Sequence, residues 1–388
     1  MQTKKVSRRR FVSSGIEASL WLTVPALVAA CGRHEDQDPL ASARAAGIDK
    51  PILLAVVAGI SAPNPHNTQA WRFRLHGDLE MSLYVDPERV LSATDPPSRQ
   101  IHIGQGTFLE HLDLGARELG YQARIDLLPE GEYEASDIGK KPVARVALEP
   151  NQAASRDPLW GAVRHRRTDR TSYEGPYLSE AECERIVALT APRHCRAAYS
   201  VDPERLRTIV ELLVEAFAVE TNTRRTYDET LRWFRFSDEE IVEHRDGLSL
   251  PANGTSGLKR WLAEKFVISK ENWHSDRNRK TAIDFFRDQA ASARALLWLS
   301  TAENTMRDWV LVGRDYARLH LAATSLGFAM HPMSQALQEY AEMDDARRRL
   351  PAMLGTAAGQ RVQMLARLGR SSYRFKSPRR PVQSMIVG

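Results

Sequence analysis

What the chain lacks narrows the field first. Its 388 residues include three cysteines, so no disulfide framework holds it together. The weakly apolar stretch near the start, residues 19–30, is shorter than the roughly 20 residues a membrane-spanning helix needs. Glycine and proline, at 22 and 20, are ordinary, which removes collagen-like and low-complexity chains. There is no GxGxxG, P-loop, HExxH or CxxC, so the commonest signatures of dinucleotide, triphosphate and metal chemistry are missing. GxSxG is absent, no Ser/His/Asp set stands out, and the eleven histidines form no metal-spaced cluster. Positive charge is scarce in the body. The net charge is +5, but Lys4, Lys5, Arg8, Arg9 and Arg10 against Glu17 account for nearly all of it. A near-neutral body argues against a nucleic-acid partner, which needs a concentrated basic face. What is present, 43% hydrophobic and 27% charged residues, is the balance of a soluble globular protein. The length calls for two or three units.

The first 31 residues look like an address. Ser7-Arg8-Arg9-Arg10-Phe11 precedes the short apolar stretch, which ends in Val28-Ala29-Ala30-Cys31. A basic flank, an apolar core and small residues form the plan of an export signal. The paired arginines resemble a twin-arginine signal, and Val-Ala-Ala-Cys resembles a lipobox that would lipidate Cys31. The expectation is an exported protein, periplasmic or anchored at the cell envelope through Cys31 or an uncleaved signal. A basic N-terminus running into a helix is the plainer alternative. Residues 32–50 read as a linker. Cys183 and Cys195 could pair after export, though nothing in the sequence demands it.

The remainder reads as a duplication. VDPER occurs at 85–89 and again at 201–205, each after a strand-like run. HLDLGARELGY at 111–121 matches RLHLAATSLGF at 318–328, an offset of 207 that also pairs Gly106 with Gly313. Both copies show helical apolar spacing closed by a glycine. A β-rich run follows each, at 143–148 and 361–368. Each half therefore reads strand, turn, helix, helix, strand: a first half at 51–150 and a second at 151–388. The two echoes have unequal offsets, so the second half carries an insertion at about 207–312. This insertion is rich in aromatics (Trp233, Phe234, Phe236, Trp261, Phe266, Trp273). It could be a lid or a helical subdomain covering the core.

Four stretches could carry chemistry. SAPNPHNTQAWRF at 61–73 is a turn-rich loop before a strand; Asn67 and Gln69 can both donate and accept hydrogen bonds, which suits a heteroaromatic ring. RHRRTDR at 164–170 sets four guanidinium groups and the Thr168 hydroxyl in seven residues, and arginine suits bidentate phosphate binding. SPRRPV at 377–382 adds a late arginine pair, and GFAMHPM at 327–333 is a helix stop running into an apolar loop. Taken singly, each has a bland reading: a capped turn, a solvated basic turn, a structural His331.

Taken together and in this order, SAPNPHNTQAW, RRTDR, the LGF helix end and SPRRP resemble the nitroreductase family of flavoproteins, in its Acg-type FMN-binding branch. The resemblance covers about 50–385. It implies an α+β fold of two tandem half-domains forming an intramolecular pseudo-dimer, with FMN at their seam and one FMN per chain. It assigns Arg166, Arg167, Thr168 and Arg170 to the phosphate and ribityl chain, and Arg379 or Arg380 to the phosphate. Pro63, Asn64, Asn67 and Gln69 would meet the ring from the other half. Pro332, Met333 and Ser334 would supply backbone contacts near the flavin N5. Asn64 and Ala70 depart from the family's usual serine and proline. The loop motif occurs only in the first half and the arginine motif only in the second, so one composite site can be assembled. The implied function is ping-pong electron transfer from a small-molecule donor to a nitroaromatic- or quinone-like acceptor, by a monomer without a metal. The alternatives are an exported flavin-sequestering protein without NAD(P)H turnover, and a lipid-anchored scaffold with no cofactor.

Overall fold

Two near-identical arrangements of strands and one long helix apiece explain most of the architecture. The computed structural model describes residues 37–151, 156–257, 260–261, 263 and 269–387, and residues 38–388 form one unit. The export signal and Cys31 lie outside the described residues. So does Phe266. Among the described residues, no helix is long and apolar enough to cross a membrane.

In the first half, helix α1 (Pro39–Ala45) and helix α2 (Pro51–Ile60) precede strands β1 (Trp71–Leu75) and β2 (Glu80–Val85). Helix α3 (Arg99–Glu118) and strands β3 (Tyr121–Leu127) and β4 (Ala144–Pro150) follow. The strands pair in the order β1-β2-β4-β3. Alternation sets the core face: Trp71, Phe73, Met81, Leu83, Val146 and Leu148 point inward beneath α2 and α3. The linker expected at 32–50 is partly structured. Asp38 caps α1, and Leu40 and Ala43 dock on Leu54 and Ala58 of α2.

In the second half, helices α4 (Trp160–Val163) and α5 (Glu180–Thr190) lead to strand β5 (Arg196–Ser200). A long excursion follows: α6 (Pro203–Asn222), α7 (Arg224–Arg232), the short strands β6 (Phe234–Arg235) and β7 (Leu248–Ser249) with α8 (Asp238–His244) between them, and α9 (Asp276–Ala291). The core resumes with β8 (Ala295–Thr301), α10 (Met306–Ser325), β9 (Ala329–Pro332), α11 (Asp344–Met353) and β10 (Arg361–Gly369). Its sheet order is β5-β8-β10-β9. Position for position this repeats the first sheet: β5 answers β1, β8 answers β2, α10 answers α3, and β9 and β10 answer β3 and β4. The fold is α+β, in two tandem halves.

Two details differ from the sequence reading. After the second core strand of each half, a single 20-residue helix (α3 or α10) stands where two helices were expected. The insertion occupies 201–294, between β5 and β8, and not 207–312: residues 295–301 are a core strand and 306–312 belong to α10. The VDPER echo misled because its copies follow β2 and β5, which are not equivalent strands. The offset of 207 does mark true equivalents. Gly120 and Gly327 end α3 and α10 at φ 83° and 82°, the left-handed closure that favours glycine. Gly106 and Gly313 meet where the two helices cross: a Cβ on Gly313 would lie 2.0 Å from the Ile103 carbonyl oxygen, and one on Gly106 1.9 Å from that of Val310. Beyond the crossing the symmetry is broken by charge. Glu110 and Asp113 on α3 receive Arg314 and Arg318 from α10, at 2.7–3.0 Å. All seven residues of β8 are buried, because α10 covers one face of the sheet and α6, α9 and α11 the other. The last segment crosses back to the first half, where Val387 N–H donates to the Phe73 carbonyl (2.9 Å) at the edge of β1.

Candidate functional site

The loop after α2 is strained and heavily tied. His66, Asn67 and Gln69 all have left-handed backbones, at φ 47°, 53° and 52°. Such geometry in non-glycine residues costs about 1–3 kcal/mol each and persists only where the surroundings impose it. Here they do. The Asn64 side-chain oxygen accepts from Gln69 N–H at 2.8 Å. Gln69, fully buried, donates to the Arg245 carbonyl in the insertion (2.8 Å) and accepts from Arg380 N–H (2.8 Å). Asn67 accepts from Arg379 Nη1 at 2.8 Å. Arg379 also donates to the carbonyls of Ile60 (2.9 Å) and Ala62 (3.1 Å). Arg380 donates to the Gln69 and Ser384 carbonyls and lies 3.9 Å from Asp86. Four expected ligand residues, Asn67, Gln69, Arg379 and Arg380, thus staple the loop to the insertion and to the C-terminal segment. The polar groups of these four residues bond within the chain, where the segment 377–387 crosses the 60–69 loop.

The arginine segment lies against β9. Asp169 N–H donates to the Met330 carbonyl (3.1 Å), so residues 166–170 run alongside the strand that ends in Pro332. Arg166 is 2% exposed. Its Nη2 donates to the Ser61 carbonyl at 3.0 Å, while Nε and Nη1 are buried without a partner. Burial, with Arg167 beside it, lowers its pKa to about 10. Two histidines stand close by. His111 shares a 2.9 Å hydrogen bond with Ser61 Oγ, and His320 Nε2 meets the Arg167 carbonyl at 2.9 Å. Burial first, and then Arg166, holds both well below their ordinary pKa. Arg167 donates to the His165 carbonyl. Met333 differs from expectation: it is fully buried in the second core, and its N–H goes to the Leu365 carbonyl (2.8 Å), so it has no backbone donor to offer.

Between the loop, the start of α3, β9 and the insertion lies a cavity of about 450 Å³, within the range of small-molecule sites. Six expected residues line it: Pro63 and Asn64 from the first half, Thr168, Arg170, Pro332 and Ser334 from the second. The sequence reading missed much of the rest of the wall. Ile103, Gly104 and Thr107 come from α3, Tyr316 from α10, and His66 from inside the quoted loop motif. Burial and then Arg170 lower the His66 pKa to about 4, so it lines the cavity as a neutral ring. Burial holds Arg170 at about 10; Nη1 donates to the Ala252 carbonyl at 3.1 Å. Of the flagged insertion aromatics, Phe234 and Trp273 reach the cavity. Trp233 faces Arg89 instead. The insertion is pinned over this space by Gly247 N–H on the Asn67 carbonyl (3.1 Å) and by Glu229, whose carboxylate accepts Ala93 and Thr94 N–H at 2.9 Å each. Cys183 and Cys195 are free thiols. No group of three or more metal-ligating side chains exists among the described residues.

The geometry therefore encloses a cavity lined by both halves and by the insertion, with Arg170 in its wall and a cluster of aromatics from the insertion. No protein-family profile matches the chain. A Mycobacterium tuberculosis protein provisionally named NAD(P)H nitroreductase acg is 25% identical over 350 residues, covering 86% of this chain and 95% of the relative. An uncharacterised protein of the same organism is 24% identical over 344 residues, covering 86% and 91%. A third, provisionally named NAD(P)H nitroreductase Rv3131, is 34% identical over 124 residues. That match spans about a third of the relative's length, at 34%. Among solved structures, the FMN- and NADPH-dependent nitroreductase NfnB of a Sphingopyxis strain covers 59% of this chain and is itself covered to 98%, at 14% identity and TM-score 0.39.

Proposed function

We propose that the chain binds one FMN at the seam of its halves and is an FMN-dependent oxidoreductase of nitroreductase type. The observation that carries this is the composite wall: the 63–66 loop of one half and Thr168, Arg170, Pro332 and Ser334 of the other face one cavity. The residues fit the cofactor. Buried Nε and Nη1 of Arg166 lack partners, and such donors are costly to leave unmade; a phosphate oxygen would satisfy them. The provisional name of the full-length mycobacterial relative supports the same reading.

Bound FMN would supply the electron transfer, leaving binding, orientation and exclusion of water to the protein. Arg170 sets a positive charge in the wall, which favours a ligand gaining electron density. Tyr316, its pKa raised by burial, stays a neutral hydroxyl there. The stapled 60–69 loop keeps Pro63 and Asn64 in place, and the pinned insertion keeps bulk water out. The acceptor would be a nitroaromatic or quinone and the donor a small-molecule reductant. We further propose export by the twin-arginine route to the periplasm or the envelope, and function as a monomer. A signal variant, R8K/R9K, that still reached the periplasm in cell fractionation would refute the route.

The direct test is differential binding. FMN should quench on titration and bind the Arg166→Met variant at least tenfold more weakly, while riboflavin, lacking the phosphate, should bind both alike. Equal loss for both ligands would contradict the assignment. Pinning of the insertion also suits a second reading, a flavin-sequestering protein; failure of NADH, NADPH and reduced quinone to bleach the bound flavin would select it.

A further inference from the structure

The insertion builds a wall that includes a buried acid, Glu220, which has no part in the reading above. We propose that Glu220 selects the ligand: its carboxylic acid group donates a hydrogen bond to an acceptor oxygen of a neutral, flat aromatic compound packed against the insertion's rings. This rests on the cavity being the acceptor chamber of the proposed oxidoreductase.

The wall around it is aromatic. Phe217 and Phe286 stack at 4.2 Å and 6°, and Tyr227 and Trp273 at 4.8 Å and 23°; all four line the cavity. Phe285 also lines it and is 41% exposed, which marks the mouth. Glu220 sits one turn beyond Phe217 on α6, at the i, i+3 spacing that puts both on one helix face. It too lines the cavity and is 5% exposed. Its Oε2 accepts from Gln338 Nε2 at 2.6 Å. Among the described residues, no lysine or arginine pairs with it.

The neighbouring charges do not supply a cation either. Glu229 on α7 adds negative charge. Arg225 pairs with Glu342 and covers the Tyr340 ring. From α9, the cavity receives the amides Asn278 and Gln289. Arg349 of α11 is paired with Glu215 and Asp345. Arg170, the one permanent cation among the described lining residues, is bonded to Ala252. A buried carboxyl without a cation keeps its proton; burial, with Glu229 adding to it, raises Glu220 to about 7. In that form it is a donor. It welcomes a carbonyl or nitro oxygen and disfavours an anionic ligand. Asp95, the other carboxyl in the wall, accepts Ile101 N–H at 3.0 Å and faces Arg99; it caps α3, although burial brings it to about 7 as well.

The test is the pH dependence of binding of 2-methyl-1,4-naphthoquinone to the purified, flavin-loaded protein, read by tryptophan quenching from pH 5.5 to 9. The Kd should be flat to about pH 7 and then rise about tenfold per pH unit. Glu220→Gln, which keeps an amide donor, should remove the pH dependence while binding within threefold of the pH 6 value. Glu220→Leu should bind about tenfold more weakly than the wild type at pH 6 and show no pH dependence, and Asp95→Asn should keep the wild-type profile. A flat wild-type profile, no quinone binding at any pH, or a Glu220→Gln profile like the wild type would overturn the proposal. A protein that takes up no flavin would instead overturn the function it rests on.

Discussion

The helix crossing offers a prediction whose sign is set by two opposed terms. Replacing Gly313 by alanine puts a Cβ 2.0 Å from the Ile103 carbonyl oxygen and 2.8 Å from the Gly106 Cα. Even a favourable C–H···O contact needs about 3.3 Å, so α3 and α10 must part by more than an ångström. Neither obstructing atom can swing aside, because both are helical backbone. Overpacking of a well-filled interior costs about 1–3 kcal/mol, and rigid backbone puts this case at the upper end. Alanine's helix preference over glycine returns about 1 kcal/mol. The net loss should be about 2 kcal/mol by the difference of those two terms. Gly161 in α4 provides the control: nothing lies within 4 Å of a Cβ there, so Gly161→Ala should be neutral or stabilising by up to about 1 kcal/mol. Because Gly106 and Gly313 share one gap, the double alanine variant should lose less than the sum of the single losses. Urea unfolding, followed by both tryptophan emission and far-ultraviolet dichroism, measures all four proteins. A Gly313→Ala variant as stable as the wild type would refute the tight crossing.

Other consequences follow from the buried polar groups. His66 and His102 are held near pH 4, and His111, His320 and His331 well below their ordinary value, in each case chiefly by burial. Their unfolded forms protonate below about pH 6.5, so their contribution to stability is present above that pH and lost as pH falls. Asp95 and Glu220, raised to about 7, act in the opposite sense between pH 7 and 4. More histidines than acids are shifted, so stability should fall as pH drops below about 6; a urea midpoint unchanged between pH 7 and 5 would contradict it. Gln69→Leu leaves the Arg245 carbonyl and Arg380 N–H unpaired, at about 1–3 kcal/mol each, and should raise hydrogen exchange across 377–387; protection equal to the wild type would show that the staple is unimportant. In the Arg166→Met variant, the loss of one or two charge-assisted bonds of about 1.5–3 kcal/mol each should weaken FMN and spare riboflavin in parallel fluorescence titrations.

The fold was legible where side chains repeat and illegible where loops do. The Gly106/Gly313 and Gly120/Gly327 pairs marked equivalent helices because packing and helix closure constrain those positions in both halves. VDPER marked nothing equivalent, since a Pro-initiated turn serves after any strand. Without a sheet order the insertion could not be placed, and its limits shifted by the length of one strand and the start of one helix. Pro63, Asn64, Thr168, Arg170, Pro332 and Ser334, singled out through motif order, line one cavity. Asn67, Gln69, Arg379 and Arg380 belong to the same motifs, but motif order cannot tell a side chain that faces a ligand from one that holds the loop. That distinction depends on the crossing of the C-terminal segment, a contact between residues more than 300 apart. Tyr316 and Glu220 gave no signal because each is an ordinary position on an amphipathic helix until a cavity forms beside it.

The central claim is one composite site per chain, and flavin stoichiometry tests it most directly. Protein saturated with FMN, freed of excess and then denatured should release one FMN per polypeptide by absorbance. Release of two, or of none, would contradict the account.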